Sequence, residues 1–202
     1  MILPYKPNER VYRSMDLMAP VEAEQYRARG YASTFDRYML FSDVDGPVYE
    51  QIDRHAFDSA DMSDVIFQYD HMGRVYARTS NGSLLLSVDD HGLLTEANLG
   101  LTPSSRDIWE DINARLITRM SFCFTVADGH FDQATATSFI TRIDKVFDVS
   151  AVSIPANPGT DIEARCAYDG AILRARAERR GKIRRLKSIL TINDLMGGKQ
   201  HA

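Results

Sequence analysis

The sequence predicts an α+β fold, a compact antiparallel β-barrel or sheet flanked by helices. Three observations carry this: a series of short β-type runs separated by turn residues, one clear amphipathic helix in the body, and a basic helical stretch near the C-terminus. With 202 residues the chain is long enough for one domain with a full core and an appendage.

In chain order, residues 19–29 carry a short helical pattern stopped by Gly30. Residues 30–35 are rich in β-formers, Asp43-Val44-Asp45-Gly46-Pro47 is turn chemistry, and Val48-Tyr49-Glu50-Gln51-Ile52 reads as the returning strand. Residues 65–69 form an apolar β-type run that ends at Asp70-His71. Ser80-Asn81-Gly82-Ser83 turns the chain into a strand at 84–88, and Asp89-Asp90-His91-Gly92 turns it back into 93–99, which predicts a hairpin. Apolar residues at 108, 109, 112, 116 and 117 have helical spacing, with Ser104 or Ser105 as the expected cap. Residues 120–126 alternate: Met120, Phe122, Phe124 and Val126 share one face of a strand, Ser121, Cys123 and Thr125 the other. Two further strands are expected at 138–143 and 145–154, and a basic helix from about 170 to 190.

The net charge of −4 hides an asymmetry. From Arg165 onward ten Lys/Arg face three Asp/Glu, a local +7, which leaves −11 on the remainder. An acidic body with a basic tail suits an acidic protein partner or nucleic acid, and equally a solvated helix. No apolar run approaches the length of a membrane helix, and the start lacks a secretory pattern, so the expectation is a soluble protein that stays in the cell that makes it. Cys123 and Cys166 lack zinc-ligand spacing and read as reduced thiols; no metal and no cofactor is expected.

Of the five histidines, His71 stands out because it directly follows a buried-type strand, which puts an imidazole on a rigid support. Ser121 lies in the middle of a strongly apolar strand. A buried strand hydroxyl usually only satisfies a neighbour, and it becomes a nucleophile when a base lies within hydrogen-bond reach. Asp148 is a charge inside a strand that otherwise reads as buried, and such a carboxylate needs a partner, an arginine or an imidazole. Asp70 is a weaker candidate, since neighbours along a strand point to opposite faces.

In this order the segments resemble the prohead (capsid maturation) proteases of tailed phages. The resemblance runs from Gly30 to Arg165. It rests on Gly30-Tyr31-Ala32-Ser33-Thr34-Phe35, Ala56-Phe57, the strand ending in His71, Ala77-Arg78-Thr79, and Asp89-Asp90-His91-Gly92-Leu93. Its most specific parts are Met120-Ser121-Phe122 and Phe147-Asp148-Val149-Ser150-Ala151-Val152-Ser153-Ile154-Pro155. The family is similar in fold to the herpesvirus assembly proteases, which implies a small barrel surrounded by helices. It further implies Ser121 as nucleophile, His71 as general base and Asp148 as the acidic third member. It implies a serine endopeptidase that cleaves the scaffold portion of the major capsid protein and itself, inside the assembling procapsid in the host cytoplasm, with other copies of the chain as partners. Residues 1–29 are then an N-terminal extension, 30–167 the protease domain and 168–202 a basic helical tail. Two departures stand out: Cys123 and His55 occupy positions where many relatives have glycine.

The alternative is a catalytically silent capsid-assembly scaffold or interaction protein that works through its basic tail. Another serine hydrolase, such as an esterase, is disfavoured by the missing Gly-x-Ser-x-Gly elbow.

Overall fold

The computed structural model describes residues 9–16 and 26–153, together with Gly181. Ten strands and one α-helix follow in the order β1 (Arg10–Asp16), β2 (Arg27–Thr34), β3 (Tyr38–Asp43), β4 (Gly46–Ile52), β5 (Ile66–Tyr69), β6 (Met72–Arg78), β7 (Leu84–Val88), β8 (Gly92–Asn98), α1 (Pro103–Asn113), β9 (Arg119–Asp132) and β10 (Thr137–Val152). The expected hairpin forms as β7–β8, and the turn at 43–47 joins the returning strand β4 to β3. The expected helix forms as α1. Its cap is Thr102, not Ser104 or Ser105: Thr102 accepts from the Ser105 N–H while Ser105 returns a bond to the Thr102 backbone.

The fold differs from the expected helix-flanked barrel. The strands form two open sheets, and α1 is the only α-helix within residues 26–153. The larger sheet has seven strands ordered β1-β9-β10-β4-β3, with β5 and β6 branching from β10. The smaller has three, ordered β2-β8-β7. The reason lies in β10, which was expected as two strands and is one continuous strand of 16 residues. On one side it pairs with β9 along nearly its whole length. On the other it takes β4 at Thr137–Ile140 and β5 at Asp148–Ala151, both parallel. The sheet therefore forks along β10 instead of curling until its edges meet. No ladder joins the edge strands β1, β3 and β6.

Other expectations shift as well. Residues 27–29 belong to β2, not to a helix; the rest of the expected 19–29 helix up to residue 25, and the basic tail apart from Gly181, lie outside the described residues. β1, β3 and β6 were not foreseen. β1 and β6 mix charged or small residues with apolar ones, which blurs the period-two signal.

One core cluster joins the two sheets and the helix. Met120, Phe122, Phe124 and Val149 come from the large sheet, Ala32, Leu84, Leu93 and Ala97 from the small one, and Ile108, Trp109 and Ile112 from α1. Gly92 begins β8 where it runs against β2, and a Cβ there would meet the Ser33 carbonyl oxygen at 1.9 Å.

The core also holds an ion pair. Arg13 of β1 donates through two nitrogens to the carboxylate of Glu50 on β4, which also accepts from the Tyr38 hydroxyl. Glu50 is fully buried and Arg13 is 8% exposed. Burial, then the neighbouring carboxylate, holds the Tyr38 hydroxyl well above its ordinary pKa, so it remains a donor. Desolvation largely offsets the attraction within such a pair, but breaking it leaves an uncompensated buried charge. We expect Glu50→Ala to lower the unfolding free energy in urea by about 3–5 kcal/mol. The double change Arg13→Met, Glu50→Leu should recover most of that loss, because no charge is then stranded.

Candidate active site

The site lies on the face of the large sheet opposite Phe122. Register fixes which residues share it. Across β1, β9 and β10 one row reads Ser14, Ser121, Ser150, and the next reads Tyr12, Cys123, Asp148. Gln68 of β5 extends the first row and Ile66 the second.

Asp148 reaches this face because of a bulge. Val146 pairs with Phe124, whereas Asp148 pairs with Cys123, so two residues of β10 step past one interval on β9. Phe147 is the extra residue. With regular pairing, residue 148 would stand opposite Phe122 and point into the core; the bulge turns the carboxylate out onto the Ser121 face. The Arg10 guanidinium lies 4.2 Å from the centre of the Phe147 ring, packing the bulge from β1.

His71 comes from the turn between β5 and β6. Tyr69 pairs with Met72, so Asp70 and His71 form a two-residue hairpin loop. Both have positive φ, 47° and 57°, as a type I′ turn requires. The Asp70 N–H donates to the Ala151 carbonyl at 3.0 Å. Its carboxylate accepts from the Ser153 N–H at 3.0 Å and the Ser153 hydroxyl at 2.9 Å. Asp70 thus ties the turn to the end of β10, and the imidazole is held over the sheet.

The three residues singled out in the sequence meet here. His71 Nδ1 lies 2.6 Å from Asp148 Oδ1, and His71 Nε2 lies 2.7 Å from Ser121 Oγ. An ionised carboxylate only accepts, so Nδ1 carries the imidazole proton and Nε2 is left to accept from the Ser121 hydroxyl. Asp148 is 5% exposed and Ser121 1%. Asp148 Oδ1 also accepts from the buried Ser150 hydroxyl at 2.8 Å. The other described histidines lie elsewhere: His55 contacts Asp58, His91 packs on Tyr31, and His130 of β9 stacks on Phe139 of β10.

Two groups at the site carried no usable sequence signal: Ser150 falls in an apolar run and Tyr12 lies on an unforeseen strand. Cys123 is expected on the Ser121 face, and the register puts it there. It stands in register between Tyr12 on β1 and Asp148 on β10. Burial, with the neighbouring carboxylate adding to it, pushes this thiol from 9.0 up to about 12. Among the described residues no cluster of three His, Cys, Asp or Glu side chains could hold a metal.

A hydroxyl, an imidazole and a buried carboxylate linked in that order is the arrangement with which serine hydrolases carry out acyl transfer. The chain belongs to a particular family of such enzymes: the model of the caudovirus prohead serine proteases matches residues 13–171, a span that contains Ser121, His71 and Asp148. No curated protein and no solved structure matches the chain.

The state of Cys123 can be checked directly. In a Cys166→Ser background, iodoacetamide at pH 8 should leave the folded protein unmodified and alkylate Cys123 only after unfolding, because the thiolate is the reactive form and the fold suppresses it. The sign of the pH effect follows. A thiol raised from 9.0 to about 12 favours the fold below pH 9, and that contribution is lost as pH climbs through 12.

Proposed function

We propose that the protein is a serine endopeptidase that cuts the scaffold portion of its phage's major capsid protein, and itself, during prohead maturation. It would act inside the assembling procapsid in the host cytoplasm. The observation that carries this reading is the pair of hydrogen bonds, 2.7 Å and 2.6 Å, that connect Ser121 to His71 and His71 to Asp148. Family membership supports the prohead setting.

In this reading Ser121 Oγ attacks the scissile carbonyl carbon as His71 Nε2 takes the hydroxyl proton. The tetrahedral intermediate collapses, the C–N bond breaks, and His71 passes its proton to the leaving amine. An acyl group remains on Ser121. Water, deprotonated in turn by His71, attacks that ester and releases the second fragment. Asp148 holds the imidazole in the Nδ1–H form and stabilises the cation formed in each half-reaction. Its burial strengthens that effect, because little water screens it.

The substrate assignment draws on charge as well. The sequence from Arg165 onward carries +7 against −11 for the rest. A basic tail of this kind would address the enzyme to an acidic scaffold, and self-cleavage beyond about Arg165 would release it.

The test is co-expression with the capsid protein of the same phage, read by fragment mass. Wild type should release defined fragments of the capsid protein and of itself, and Ser121→Ala neither. Identical fragments from the two proteins would refute the reading. Asp148→Asn should keep the site's shape yet lower kcat by about 10⁴-fold, the scale of this change in established triads, because Nδ1 no longer faces an acceptor that enforces the right tautomer.

A further inference from the structure

The strand that completes this site comes from the N-terminal segment, far in sequence from Ser121, His71 and Asp148. We propose that Tyr12 of β1 is a positioning residue of the site: its ring braces His71, and its hydroxyl braces Asp148 through the Cys123 thiol. The inference rests on the catalytic reading above and extends it to a residue outside the triad.

The geometry is specific. The Tyr12 and His71 ring centroids are 4.6 Å apart at 75°, an edge-to-face contact. Nε2 and Nδ1 hold the imidazole to β9 and β10, and the Tyr12 ring meets it from β1. His71 sits at the tip of a two-residue turn and its side chain keeps 17% of its exposure, so hydrogen bonds alone leave it room to swing toward solvent. An aromatic wall narrows that room.

The second part of the brace runs along one row of the sheet. Tyr12 stands opposite Cys123 on β9, and Cys123 stands opposite Asp148 on β10. The Asp148 carboxylate favours the protonated Cys123 thiol, and the thiol favours the protonated Tyr12 hydroxyl. Because Asp148 accepts, the thiol donates its S–H to the carboxylate, which leaves sulfur to accept from the Tyr12 O–H. Burial of both groups, each pushed up to about 12, keeps both protons in place at working pH. In this arrangement the Cys123 thiol adds to the two donors that hold Asp148, His71 Nδ1–H and the Ser150 hydroxyl.

β1 itself is held so that the brace keeps its register. It pairs with β9 from Arg10 to Asp16, Arg13 is tied to Glu50, and Arg10 lies over Phe147, the bulge residue that aims Asp148. The same strand therefore supports the base, the carboxylate and the bulge.

The experiment uses the full chain and a fluorophosphonate, which acylates an activated serine without any knowledge of the natural substrate. The readouts are kinact, KI and the melting temperature. Tyr12→Leu fills the space without an aromatic wall or a hydroxyl. It should fold and show kinact lowered by about tenfold to a hundredfold, the scale of a small misplacement of a catalytic group, with KI within about twofold of wild type. Tyr12→Phe restores the wall and should recover kinact to a value between those of Tyr12→Leu and wild type. A folded Tyr12→Leu with wild-type kinact overturns the positioning role, as does a loss confined to KI. A Tyr12→Phe no better than Tyr12→Leu overturns the ring brace. If wild type is not labelled at Ser121, the catalytic reading itself fails, and this outcome is distinct from the others because it precedes any change at Tyr12.

Discussion

The pairing of β9 with β10 is the constraint on which the rest depends. It is the longest ladder in the molecule, and it carries both Ser121 and Asp148. Because side chains alternate along a strand, a shift of one residue would send either group to the other face. The bulge at Phe147 is such a shift, one of four along this ladder and the one next to the site. It lets Val146 stay in the core with Phe124 while Asp148, two residues on, faces the site with Cys123. A regular ladder could not place both an apolar Val146 and an ionised Asp148 where each belongs.

Every other element either borders this ladder or holds something against it. β5 pairs with the half of β10 that contains Asp148, so the turn that follows β5 arrives directly over the site. The Asp70-His71 turn adopts a backbone that most side chains avoid, and Asp70 stabilises it by accepting from Ser153 at the end of β10. β1 covers the other flank of β9. Its inward face secures it through Arg13 and Glu50, and its outward face places Tyr12 beside His71.

Burial then sets the chemistry. Asp148 is almost fully covered, and donors surround its carboxylate. The same dry surroundings make Cys123 a poor nucleophile although it sits two residues from Ser121: its thiol is pushed up, not down, by burial and a neighbouring carboxylate. Two potential nucleophiles on one strand are thus separated in role by their contacts. The serine faces an imidazole that can take its proton, and the cysteine faces a carboxylate whose charge keeps its proton on.

The sequence by itself determined the local elements and the cast of the site. Turn residues marked the β7–β8 hairpin and the turn into β4, periodicity marked α1, and the ordered motifs around His71, Ser121 and Asp148 named the residues that the fold brings together. It did not determine how the strands close or fork, because that depends on β10 changing partners along its length, which no local pattern records. The barrel expectation failed for this reason. Nor did it reveal the bulge, Tyr12 or the roles of Cys123 and Ser150. Local periodicity reports what each residue does within its own strand, whereas the site is made across strands, by register, and register is settled only when distant segments pack around one core.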